Sequence, residues 1–157
     1  MDQHRKFMKE AISLARQGME NGEGGPFGAI VVKDGVIIGR GNNKVLQSND
    51  PTAHAEVVAI RDACNTLGHF QLDDCILYTS CEPCPMCLGA IYWARPKVFY
   101  YACTREDAAE IGFDDDFIYK EISHDPADRS IPARNLMREE GLSNFQLWSA
   151  KSNKTLY

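Results

Sequence analysis

Cys75-Ile76-Leu77-Tyr78-Thr79 runs through Ser80 into Cys81-Glu82-Pro83-Cys84-Pro85-Met86-Cys87. The first five residues are short, apolar and β-prone, and they read as a buried strand. The next seven predict the start of a helix running from Cys84 to Trp93, which Arg95-Pro96 stops. Pro85 suits a first helical turn, where it gives up no amide that the helix would use. Cys84 and Cys87 are three apart, so on a helix they face the same way. Free amides and the positive end of the helix dipole favour thiolates there, and thiolate is the form that binds metal.

Upstream lies His54-Ala55-Glu56. From His54 to Leu67, the residues Val57, Val58, Ile60, Ala63, Cys64 and Leu67 recur at helical spacing. Gly68 ends that helix, and Asp50 or Thr52 are candidate caps before it. Residues 3–21 carry Phe7, Met8, Ala11, Ile12, Leu14, Ala15 and Met19 in an amphipathic pattern. Gly22 to Gly25 break that helix. Gly24-Gly25-Pro26-Phe27-Gly28 then leads into the strand Ala29-Ile30-Val31-Val32. Asp34-Gly35 fits a type I′ hairpin turn to a partner strand over 36–41. Asn42 and Asn43 close that strand, and residues 44–53 read as a polar loop.

Downstream, residues 97–102 predict another strand. Thr104 caps a short helix through Ile111, with Asp107 three residues on. Phe113 to Phe117 read as an acidic loop, 123–135 as an extended connection, and 135–140 and 144–150 as two short helices. The order αββαβαβα predicts an α/β fold with a largely parallel sheet, made mixed by its initial hairpin, and helices on both faces. There is no internal repeat, and the 157 residues read as one domain.

Composition narrows the function. Hydrophobic residues make up 44% and charged residues 25%, as in ordinary soluble proteins. Acids outnumber bases 22 to 17, for a net charge of −5. Nucleic-acid binders usually carry a basic face, so a small or neutral partner is expected and no nucleic acid. No apolar run approaches the ~20 residues needed to cross a membrane, and residues 1–10 resemble no signal peptide. We expect a cytoplasmic protein without a membrane partner. In a reducing compartment clustered cysteines bind metal or react more often than they pair. Of the six cysteines, Cys81, Cys84 and Cys87 cluster. Cys64, Cys75 and Cys103 stand among apolar residues and read as buried packing.

A catalytic zinc takes three protein ligands and keeps one open position. His54, Cys84 and Cys87 supply such a set for one Zn2+ per chain. Zinc lowers the pKa of bound water toward roughly 7, making hydroxide the nucleophile. Glu56 takes the water's proton and passes it to a ring nitrogen and then to a leaving amine. That role needs a carboxyl raised toward neutrality by a dry pocket. Two residues apart, His54 and Glu56 would face opposite sides in mid-helix, so the reading depends on a helix start. Two other metal readings compete. An iron–sulfur cluster needs a further cysteine after three intervening residues and then proline, and residue 91 is Ile. A closed structural zinc site recruiting Cys81 would leave Glu56 without a role. His69 and His124 read as surface residues.

The pair His54-x-Glu56 and Pro83-Cys84-x-x-Cys87 is the signature of zinc-dependent base deaminases. Nearly the whole chain resembles the cytidine-deaminase-like superfamily and, within it, the small guanine deaminases. The residues that carry the closer match are 24–29, 49–56, 78–87, 91–95, 112–115 and 117–122. The metal motif marks only the superfamily. The Phe113-Asp114-Asp115 loop and Tyr157 point to guanine. Asp116 beside Asp115 departs from the pattern.

The resemblance implies a three-layer α/β/α sandwich with a five-stranded mixed sheet, and hydrolysis of guanine, a purine base, to xanthine and ammonia. It implies that Asn43 bonds the base and that Phe27 packs on it. It places Asp115, or else Asp114, as acceptor for the exocyclic amine beside the catalytic Glu56, since a carboxylate only accepts. It adds Ala55 and Trp93 to the substrate contacts. It also implies a homodimer whose 135–157 segment swaps across, bringing Tyr157 over the pocket as a lid. Deamination of another base or nucleoside (cytosine, guanosine, an aminotriazine, adenosine in transfer RNA) stays open. So does a non-catalytic zinc fold used for interaction.

Overall fold

Ala29, Val31 and Leu77 pack into one apolar cluster, whereas Ile30, Val32 and Tyr78 pack into another. That alternation is the signature of a sheet buried on both faces. The computed structural model describes residues 3–113 and 115–157. The chain divides into two compact units, Met1–Asp116 and Phe117–Tyr157.

The first unit runs α1 (Gln3–Glu20), β1 (Gly28–Lys33), β2 (Val36–Asn42), α2 (Val45–Ser48), α3 (Ala55–Leu67), β3 (Ile76–Cys81), α4 (Pro85–Ala94), β4 (Val98–Cys103) and α5 (Arg105–Glu110). Phe7 and Ala11 of α1 fill the cluster on one face. Ala55, Ala59 and Ala63 of α3 and Ile91 and Ala94 of α4 fill the other. This is the expected α/β sandwich.

The sheet itself needs two corrections. The strand order is β2-β1-β3-β4, with four strands rather than five among the described residues. After β4, Thr104 commits the chain to a helix through a complete capping box with Asp107. Pro126 and Pro132 further on cannot donate to a ladder. The sheet is also mostly antiparallel: β1 pairs antiparallel with both β2 and β3, and β4 alone runs parallel to its neighbour β3. The β2-α3-β3 crossover straddles β1, so its two parallel strands are not neighbours.

Helix α3 sits very close to β2. A Cβ on Gly41 would collide with the Ala55 carbonyl and the Ala59 amide. Gly41 therefore sets how near the first turn of α3, with the residues around His54 and Glu56, comes to the sheet.

The second unit holds α6, which begins at the boundary (Asp116–Ser123), a 3-10 turn (Pro126–Asp128) and α7 (Arg138–Ala150). Four readings change here and in the first unit. The loop 44–53 contains α2, the acidic loop ends where α6 starts, the 123–135 connection includes the 3-10 turn, and the two short C-terminal helices are the single α7. None of residues 117–157 is buried. No helix of the described residues is long and apolar enough to cross a membrane.

Candidate metal and catalytic site

Two helix starts build the site. His54 is the N-cap of α3, with extended backbone at φ −71° and ψ 155°. Cys84 is the N-cap of α4, also extended at φ −66° and ψ 167°, with Pro85 next. The Cys84 sulfur accepts the Cys87 backbone N–H at 3.5 Å, as a cap should. His54 makes no such bond, and the candidate cap Asp50 instead accepts the Thr52 N–H at 2.8 Å. An extended cap residue is not bound by helical periodicity. The His54 ring therefore leaves the helix end while Glu56 stays in the first turn, which removes the two-residue spacing problem.

His54 Nδ1 lies 3.5 Å from Cys84 Sγ and 3.6 Å from Cys87 Sγ. All three donor atoms fall within 4.8 Å of one another. Tetrahedral zinc with Zn–S of about 2.3 Å and Zn–N of about 2.0–2.1 Å separates sulfur from nitrogen by roughly 3.5 Å. The donor set therefore fits zinc in both chemistry and spacing. The Cys87 thiol bonded to Cys84, helped by His54, lowers Cys84 to about 4. The same bond, with burial, pushes Cys87 up. Cys87 would give up that remaining proton on binding a divalent cation, because coordinating thiols are deprotonated. Cys84 raises the His54 imidazole against the effect of burial.

Cys81 is not part of the group. Burial pushes its thiol up to about 12, and its sulfur faces the Thr104 carbonyl at 3.5 Å. It lines the wall of a cavity of about 310 Å3. Among the isolated cysteines, Cys75 is buried and Cys64 partly so, but Cys103 is exposed at the end of β4, a strand exposed along most of its length.

Glu56 is 6% exposed. Burial raises its carboxyl above the ordinary range. The Thr79 hydroxyl donates to its Oε1 at 3.1 Å. His54, Glu56 and Cys84 share the cavity wall with Phe27, Asn43 and Asp115. Asn43 is 5% exposed. Its Oδ1 accepts the Val45 N–H at 3.1 Å, and its backbone N–H donates to the Phe27 carbonyl at 3.0 Å. Phe27 meets Phe113 edge-on, with ring centroids 4.9 Å apart.

Two other expected contacts, Ala55 and Trp93, are not among the residues that line this cavity. Ala55 is wholly buried in the apolar cluster between sheet and helices. Trp93 stands on α4 at 63% exposure and does not line the cavity. Tyr157 ends the second unit, and Asp114 lies outside the described residues. Val45, Leu46, Ser80 and Thr79 escaped the sequence reading. Val45 and Leu46 line the cavity from α2, a helix too short to show periodicity. Phe113 joins them. Ser80 accepts the Gly28 N–H at 3.0 Å in the interior and so anchors the Phe27 turn. The alternation along β3 was the available signal for Thr79, since Leu77 and Thr79 point the same way.

Residues 1–103 match the family model for the cytidine and deoxycytidylate deaminase zinc-binding region. The chain is 62% identical to the guanine deaminase of Bacillus subtilis, over 98% of this chain and 99% of that one. The X-ray structure of guanine deaminase from Bacillus subtilis superposes with a TM-score of 0.96 at 61% identity, covering 100% of this chain and 99% of that one. A tRNA-specific adenosine deaminase of Aquifex aeolicus is 44% identical over 64% of this chain and 66% of its own. The three ligands, the buried carboxylate and these likenesses converge: the chain belongs to the cytidine and deoxycytidylate deaminase zinc-binding family.

Proposed function

We propose that the protein hydrolyses guanine to xanthine and ammonia. The observation that carries this is the buried Glu56, which lines one cavity with His54 and Cys84 of the His54–Cys84–Cys87 group. The choice of guanine draws on the 62% identity to the Bacillus guanine deaminase. Zinc held by His54, Cys84 and Cys87 supplies a Lewis acid that makes water nucleophilic near neutral pH. Glu56 takes the proton that water gives up and delivers it to a ring nitrogen of the base, then to the departing amine. A raised carboxyl suits both steps, because acid and base work best near the operating pH.

Phe27 packs on the purine ring. With Oδ1 held by Val45, Asn43 offers its Nδ2 donors to an acceptor on the base. Asp115 accepts from the exocyclic amine. Such pairing gives strong discrimination, because a wrong ligand leaves buried polar groups unmatched.

The assembly we propose is a homodimer of one domain spanning 1–157, whose 135–157 segment swaps and brings Tyr157 over the partner's pocket. Its support is the apolar surface in search of a cover: Phe117, Ile118, Ile122, Phe145, Leu147 and Trp148 are all exposed. Six unpaired cysteines support a cytoplasmic, reducing location.

The test is an ammonia-release screen on guanine, guanosine, adenine, cytosine and aminotriazines. Guanine should turn over fastest, and Asp115→Ala should lose that turnover with one zinc retained per chain. No ammonia from guanine overturns the substrate assignment. Light scattering of wild type and of a Tyr157 deletion tests the assembly. A monomeric wild type refutes the swap, and unchanged kinetics in the deletion refute the lid.

A further inference from the structure

Thr79 has no part in the chemistry described so far, yet it is a buried hydroxyl aimed at the proton-carrying group. Its residue is 1% exposed. It stands near the end of β3, an inner strand whose backbone is fixed on both sides, by Ala29 of β1 and Tyr101 of β4. Its Oγ1 lies 3.1 Å from Glu56 Oε1. A hydroxyl has one proton to donate and an ionised carboxylate only accepts, so the direction of this bond is settled whenever Glu56 is ionised. Cys87 also bonds Glu56 while it carries a proton, but a thiolate bound to zinc has none to give. Thr79 is then the side-chain donor that remains from the sheet.

We infer that Thr79 is a positioning residue. By holding Oε1, it fixes the plane of the Glu56 carboxylate and leaves Oε2 as the oxygen that carries protons between water and base. The inference rests on the deaminase reading above and deepens it. Glu56 comes from the first turn of a helix and Thr79 from the sheet beneath it. The bond therefore ties the Glu56 carboxylate to an inner strand paired on both sides, where a small error in the carboxylate's orientation would be felt as rate.

The experiment compares wild type, Thr79→Val, Thr79→Ser and Thr79→Ala in the zinc-loaded full chain. Valine keeps the shape and removes the donor; serine keeps the donor and removes a methyl. A hydrogen bond to a charged group of ordinary strength predicts that kcat falls about 10- to 100-fold in Thr79→Val, with KM within about twofold of wild type. Thr79→Ser should recover most of kcat. Zinc should stay at one per chain in each variant. Crystal structures of zinc-loaded wild type and Thr79→Val give a readout independent of turnover: Glu56 should leave its rotamer in the valine variant. An unchanged Glu56 rotamer, or wild-type kcat in Thr79→Val, overturns the inference. So does a serine variant as slow as valine. If Thr79→Val fails to fold, Thr79→Ala carries the same comparison. A wild type that releases no ammonia from guanine refutes the substrate assignment alone, and the Glu56 rotamer still decides the role of Thr79.

Discussion

Glu56→Gln separates the reaction from the fold. Glutamine matches glutamate in shape, and its oxygen still accepts the Thr79 hydroxyl that now bonds Oε1. It carries no transferable proton. One proton transfer by a placed acid or base contributes about 100- to 10,000-fold. In the proposed reaction Glu56 serves water, ring nitrogen and leaving amine in turn, so we place the loss at the upper end, about 10,000-fold in kcat. That is about 5 kcal/mol at 1.36 kcal/mol per decade.

The fold should not suffer, and the sign of the pH effect says why. Burial raises the Glu56 carboxyl, so the folded chain holds the proton to higher pH than the unfolded chain does. That contribution is fully present below the ordinary carboxylate range and is lost as pH rises through the raised value. Glutamine is neutral throughout. In metal-free protein, wild type should therefore lose Tm relative to Glu56→Gln as pH rises from acid to neutral. The assay is ammonia release with zinc measured by mass spectrometry on the same sample. A kcat within tenfold of wild type, at one zinc per chain, refutes Glu56 as the proton carrier. A metal-free Tm difference that shrinks with rising pH refutes the burial argument.

Cys84→Ala should lose bound zinc and activity together, while Cys81→Ala should keep one zinc per chain; equilibrium dialysis against a chelator reads both. Ser80→Ala leaves the interior Gly28 N–H without its acceptor and should cost about 1–3 kcal/mol in denaturant unfolding, with a raised KM because Phe27 adjoins that turn. Gly41→Ala forces a methyl against the Ala55 carbonyl. It should cost about 1–3 kcal/mol as overpacking does, at roughly 2–4 °C of Tm per kcal/mol, with kcat falling as the first turn of α3 shifts.

Much of this was written in local sequence. Cys84 and Cys87 bracket Pro85, and a three-residue spacing at a helix start admits few arrangements. The His54–Glu56 pair was legible as chemistry but not as geometry. Only the structure shows that His54 is an extended cap residue, freed from the periodicity that would have separated it from Glu56. The capping box of Thr104 and Asp107 was readable because both partners lie within one turn.

Sequence alone singled out the His54, Cys84 and Cys87 donors, the proposed role of Glu56 and the alternation of strands and helices, because each is marked by a short local pattern. Tertiary structure decided the rest. It set β3 beside β1 rather than β2, since strand pairing is a choice among distant segments. It made Thr79 the partner of Glu56 across 23 residues. It brought Asn43, Phe27 and Asp115 to one wall and left Trp93 off it. It also left Cys103 exposed at the end of β4, because the packing of distant segments on a strand is not written in its apolar neighbours.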